Sequence, residues 1–199
     1  MDTKFIIGIA TVLMGIYAYV AYIRGILRGE TKPHIFSWLI WTSITYAIFF
    51  IQSAAGAGPG AWVTLTVALI TSIICVLSLR YGEKDIRKVD YLFFAAAMLA
   101  YGLWLGIDEP TLSMILLVST GILGFVPTIR KSWQQPHTET LATYLVNTLR
   151  HGLSAAALTQ YTLLTALFPV AWTFANGLFV LMLLLRRRQI HQSGPETTQ

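Results

Sequence analysis

Charge is what this sequence has least of. Only 12% of its 199 residues are Asp, Glu, Lys or Arg, against about 25% in soluble globular domains, which argues against a soluble globule. Cysteine is limited to Cys75, so no intramolecular disulfide can form and no metal set exists. No Asp or Glu falls inside any long apolar run, and no Lys falls in the last run, which excludes a retinal Schiff base there. No nucleophile–base constellation is visible, so an enzyme is not expected and no cofactor is implied. The segment GAGPG at Gly56–Gly60 lacks the following lysine of a phosphate-binding loop and reads as a tight turn.

What is abundant is apolar sequence. Mean hydropathy is +0.63, and seven runs carry almost no charge: Phe5–Ile23, Ile35–Ala55, Ala61–Leu79, Tyr91–Ile107, Pro110–Ile129, Thr140–Leu158 and Leu164–Leu185. Runs of about 17–25 such residues are long enough to cross a bilayer. Run one has one Lys beside one Asp ahead of it and exceeds the about 7–15 apolar residues of a signal peptide, so it reads as a membrane helix.

The net charge of +5 does not indicate nucleic acid, because the cations are not spread evenly. Twelve of the fourteen basic residues lie in alternate connections: Arg24, Arg28 and Lys32; Arg80, Lys84, Arg87 and Lys88; Arg130 and Lys131; and Arg186–Arg188. If every run spans, all twelve fall on one side of the membrane. The positive-inside rule then puts the N-terminus outside and the C-terminus in the cytoplasm, as in a bacterial inner-membrane protein. The mixed-sign segment Tyr81–Asp90 reads as a solvated loop. Tyr17, Tyr19 and Tyr22 read as an interfacial aromatic belt.

The two ends of the chain repeat each other. At an offset of 106, Gly15, Ile16, Val20, Ile23 and Arg24 fall on Gly121, Ile122, Val126, Ile129 and Arg130. Leu39, Thr42, Leu79 and Arg80 fall on Leu145, Thr148, Leu185 and Arg186, with Trp38 against Tyr144. The same register maps the GAGPG turn onto Thr162–Ala166, between runs six and seven. Run four has no partner. Its alanines and glycines suit close helix packing, and a lone helix returns the chain so that both copies run parallel. The expected fold is therefore all-α: two parallel three-helix bundles joined by a linker helix, 3+1+3. Residues 1–82 and 107–188 are the copies, 83–106 the loop and linker, and 189–199 a disordered tail. Association with further copies of the chain stays open.

Run six carries Asn147, Arg150, His151 and Ser154 at i, i+3, i+4, i+7, on one helix face. Arg150 lies ten residues past Thr140, roughly 15 Å deep at about 1.5 Å per residue, near the middle of a bilayer. A cation there faces a cavity or a partner. The plainer reading is that it bonds backbone carbonyls or snorkels outward. Its counterpart in the first copy is Ile44, and that of His151 is Thr45. His151 can bind a substrate, titrate, or simply pack. Of Trp38 and Trp41, one ring is expected at the interface and one in the pocket or core.

Pro127-Thr-Ile-Arg-Lys-Ser-Trp133, followed by His137-Thr-Glu-Thr-Leu141-Ala142, resembles the motif of the PQ-loop superfamily, which includes SWEET sugar transporters and KDEL receptors. Thr128 replaces the glutamine, and Ala21 stands where the first copy should carry the proline. The resemblance implies that Pro127 is a hinge and that His151 occupies a pocket position. AWTFANGL, with Trp172, Thr173 and Asn176, resembles the family's Pro-Asn-x-x-Gly element with Ala175 for the proline, which implies a substrate site there with Asn176 where the family's sugar-binding asparagine stands. Trp41, as the ring in the pocket, and Thr45, as the counterpart of His151, complete the expected binding set. The expected function is transport of a small polar metabolite, anionic if Arg150 binds it, by alternating access in a lipid bilayer. The other reading is a receptor or sorting protein that binds a ligand without moving it.

Overall fold

The computed structural model describes residues 3–54, 60–156, 158 and 161–192. Their regular structure is wholly helical: α1 (Thr3–Leu27), α2 (Ile35–Ala54), α3 (Gly60–Tyr81), α4 (Lys88–Trp104), α5 (Pro110–Gln134), α6 (Leu141–Ala156) and α7 (Leu163–Gln192), with a 3-10 turn at Pro136–Thr138.

Local chemistry fixes several helix ends. α1 stops at Gly29, whose φ of 75° suits a residue without a Cβ. There the Glu30 N–H bonds the Gly25 carbonyl and the Gly29 N–H the Ile26 carbonyl, the two bonds of a Schellman cap. α5 opens on Pro110, with the Glu109 carboxylate accepting from the Thr111 and Leu112 amides at 3.0 and 2.5 Å. α7 opens on a reciprocal pair, Thr162 N–H to Thr165 Oγ1 at 3.0 Å and Thr165 N–H to Thr162 Oγ1 at 3.3 Å. The repeat places a turn at Thr162–Ala166, but Leu163–Ala166 already belong to α7, so the helix begins earlier than that register expects.

Among the described residues, three helices are long and apolar enough to cross a membrane: Ile6–Leu27, Pro110–Gln134 and Thr165–His191. Ile35–Phe50 and Leu65–Tyr81 are apolar but shorter. α4, of 17 residues with Lys88 and Asp90 at its start, and α6, of 16 residues with Arg150 inside it, fall short of that standard in length. Large apolar side chains such as Leu92, Leu99, Phe174 and Leu178 nevertheless stand 65–66% exposed on the outer faces. α7 continues to Gln192, so the first residues of the expected tail are helical, and 193–199 lie outside the described residues. Of the GAGPG turn only Gly60 is described, as the first residue of α3.

The neighbours repeat in pairs. α1 packs on α6 and α2 on α5; α2 packs on α3 and α6 on α7; α1 touches α3 and α5 touches α7. Exchanging α1, α2 and α3 for α5, α6 and α7 leaves this set unchanged. α4 packs on α5 and α2. The core is aromatic, with Trp41 against Phe125 at 5.3 Å and Tyr144 against Phe179 at 4.5 Å between ring centres.

Candidate functional site

A cavity of about 440 Å³ opens between α2 and α6, with α7 closing one wall. From α2 it is lined by Trp38, Trp41, Ile44, Thr45 and Ile48, and from α6 by Tyr144, Asn147, Arg150, His151 and Ser154. Each residue of the first set sits 106 positions before one of the second. No residue of α4 lines it.

Among the described residues Arg150 is the only formally charged one in the lining. Its Nε donates to Asn147 Oδ1 at 2.8 Å, one turn back on the same helix. The guanidinium carbon lies 6.0 Å from the centre of the Tyr19 ring, a loose cation–π contact. Neither Nη group has a hydrogen-bond partner among the described residues. His151 is buried, stacked on Trp172 with ring centres 6.3 Å apart and edge-on to Phe168 at 5.7 Å.

Seven of the eight expected binding residues, Arg150, His151, Asn147, Asn176, Trp172, Trp41 and Thr45, come together around this cavity. Asn176 donates through Nδ2 to the Trp172 carbonyl at 2.7 Å, and Thr45 to the Trp41 carbonyl at 2.7 Å. Thr173 does not join them. Its hydroxyl bonds the Pro169 carbonyl at 2.7 Å and its side chain faces Gly152 of α6, because it sits one residue round the helix from Trp172. Trp38 and Trp41 are both buried and both line the cavity, so neither is an interfacial ring. Of the tyrosines expected at the interface only Tyr17 is exposed; Tyr19 lines the cavity and Tyr22 is fully buried. The helical period turns these three to different sides.

Pro127 is buried in the interior of α5. A second interior proline, Pro169, lies in α7 at the cavity wall. The sequence reading does not single it out, since the family resemblance points elsewhere in that helix. Each proline removes one intrahelical hydrogen bond.

The larger omission is acidic. Glu139 is 2% exposed, and its Oε1 accepts from Lys131 Nζ at 2.5 Å. Its Oε2 accepts from the hydroxyls of Tyr22 and Tyr144 at 3.0 and 3.1 Å. Trp38 Nε1 donates to the Tyr22 hydroxyl at 3.2 Å. Lys131 also donates to the carbonyls of Lys32 and Thr138 at 2.6 and 3.3 Å, which uses all three ammonium hydrogens. Trp38 and Tyr144 line the central cavity, while Glu139 lines a second one, of about 420 Å³, beside Arg24, Arg28 and Arg187. This network therefore forms the partition between the two spaces.

A second buried cluster ties α4 to the connections. Asp90, 1% exposed, accepts from Arg130 Nε at 2.7 Å and caps the Arg87 amide at 2.8 Å. With Glu83 also buried, Tyr81–Asp90 is not a freely solvated loop. His34 lies 3.5 Å from Asp90 Oδ2.

Among the described residues, no three His, Cys, Asp or Glu side chains converge as a metal site. Comparison of the chain with protein-family models, curated proteins and solved structures gives no match.

Proposed function

We propose that the chain is an integral membrane transporter of the PQ-loop type. Seven helices cross a bacterial cytoplasmic membrane with the C-terminus inside. Residues 1–82 and 107–188 form two parallel three-helix copies joined by α4. The substrate is a small polar metabolite, anionic because the binding group is a cation. It binds between α2 and α6 and is released by rocking of one copy against the other, with Pro127 as a hinge. The observation that carries this reading is the cavity itself, lined at matched positions of the two copies and holding one guanidinium with unused donors. A site shared by two repeats is what alternating access requires. The paired helix contacts, the exposed apolar faces and the basic connections support the same reading.

Flux into liposomes, measured beside equilibrium binding over one ligand panel, tests it. Saturable uptake of a ligand that also binds is the expected result. Saturable binding with no flux would assign the chain to receptors, and neither binding nor flux across a broad panel of small anions would end the reading.

A further inference from the structure

We infer that the central cavity is built for an amphipathic organic anion, a carboxylate on a flat aromatic body, rather than for a polyol or a zwitterion. This ligand class rests on the transporter reading for its biological use, and on the lining for its chemistry.

The first observation is the state of Arg150. Its Nε is held by Asn147 at 2.8 Å, which fixes the plane of the guanidinium and leaves the two Nη groups as an unoccupied fork. That fork matches the two oxygens of a carboxylate. Among the described residues no Asp, Glu or Lys lines the cavity, so no carboxylate there neutralises the cation or pairs with the ammonium of an amino acid.

The second observation concerns other polar groups of the lining, several of which are already paired within the protein, on their own helix or, for Thr143, across to α1. Thr45, Thr71 and Thr143 donate their hydroxyl protons to backbone carbonyls of Trp41, Ala68 and Ala18 at 2.7, 3.0 and 3.0 Å. Asn176 donates to the Trp172 carbonyl. The Trp172 Nε1 donor is buried without a partner among the described residues, but a polyol with many hydroxyls brought into this space would still trade water for few partners.

The third is the nature of the walls. Trp41 meets Trp172 at 73° with centres 5.9 Å apart, and Phe168 lies 6.0 Å from Trp172. The rings enclose the space with faces and edges that suit offset and edge-on contact with another ring. The volume of about 440 Å³ is of small-ligand size.

The test uses the purified full-length chain and five probes: phenylacetate; phenylacetamide, which lacks the charge; acetate, which lacks the ring; phenylalanine, which carries an ammonium as well; and glucose, a neutral polyol. Binding is read by calorimetry and by quenching of tryptophan fluorescence. Phenylacetate is expected to bind saturably and at least tenfold more tightly than each of the others. Arg150→Gln should lower phenylacetate affinity at least tenfold and leave phenylacetamide unchanged, with the melting temperature of the variant checked beside it. The wild-type probe series stands alone if that variant fails to fold. Acetate, phenylalanine or glucose binding as tightly as phenylacetate would overturn the inference, as would no binding by any probe. Flux assays keep the two claims apart. Uptake of glucose or phenylalanine without phenylacetate sinks the ligand class and leaves transport standing, whereas phenylacetate binding without flux does the reverse.

Discussion

Arg150 lies against Gly15: its Nη1 is 3.4 Å from the point where a Cβ on that glycine would stand. The counterpart pair, 106 positions away, is Ile44 and Gly121, with Ile44 Cδ1 3.1 Å from the corresponding point. The same close approach of α6 to α1 and of α2 to α5 has thus been filled with a cation once and a hydrocarbon once. The lining positions correspond, and the chemistry at one end of the cavity is single-sided.

These two glycines should respond differently to one methyl group. At Gly15 the methyl meets Arg150 at ordinary contact distance, and alanine is favoured over glycine in a helix by up to about 1 kcal/mol. At Gly121 it would stand 2.9 Å from Trp172 Cζ2, so the indole must move. Gly15→Ala should leave the melting temperature unchanged or raised. Gly121→Ala should cost about 1–3 kcal/mol by overpacking and alter tryptophan fluorescence. Equal melting temperatures for the two variants would contradict this geometry.

The partition below the cavity should be intolerant of single losses. Lys131 and Glu139 are 1% and 0% exposed in their side chains. Removing one partner of such a pair leaves a buried charge uncompensated, at about 3–5 kcal/mol. Lys131→Met should therefore lower the thermal midpoint sharply. Adding Glu139→Gln to it should recover much of the loss, because the amide oxygen still accepts from Tyr22 and Tyr144. A double variant no more stable than Lys131→Met would show that the charge pair is not what makes the single loss costly.

The cavity face of α6 is legible in sequence because Asn147, Arg150, His151 and Ser154 keep helical spacing inside an apolar run. Thr173 falls outside the lining for the complementary reason: a family motif names neighbours on the chain, while the helical period separates them by about 100°. The partition is not legible at all. Lys131 and Glu139 lie at the two ends of a short polar connection with no local sign of burial, and Glu139 is bonded by Tyr22, 117 positions away. Tyr22 likewise reads as an interfacial tyrosine until α6 is packed on α1. Local pattern gives the faces of helices; it does not give which face meets which.

Stability should fall in mild acid through His34, on the connection ahead of α2. Burial lowers its pKa from 6.5 to about 4; Asp90 opposes the shift, and Arg130 and Lys131 add to it. Between those values the unfolded chain takes up a proton here that the folded chain does not. The folded state is therefore fully favoured above about pH 6.5 and loses stability as pH falls toward 4. At about 1.4 kcal/mol per unit the loss approaches roughly 3 kcal/mol. Thermal midpoints from pH 7.5 down to about 4.5 should decline in the wild type and decline less in His34→Leu, whatever the absolute stability of that variant. Parallel curves would remove His34 as the cause.

The orientation of the chain can be tested at positions the structure leaves open to reagents. Arg28, Arg87 and Asp108 are exposed, whereas Lys131 is buried although its sequence context is polar, so a cysteine at 131 would be silent on either side. In a Cys75→Ala background, Arg28→Cys and Arg87→Cys should react with a membrane-impermeant maleimide only after the cells are opened. Asp108→Cys should react in intact cells. The pattern follows from alternation: Arg28 and Arg87 precede α2 and α4, which run away from the basic end, and Asp108 follows α4. If Arg28→Cys and Asp108→Cys label under the same condition, an odd number of crossings no longer separates them, and the 3+1+3 arrangement goes with it. If all three simply exchange sides, the helices stand and only the positive-inside assignment is reversed.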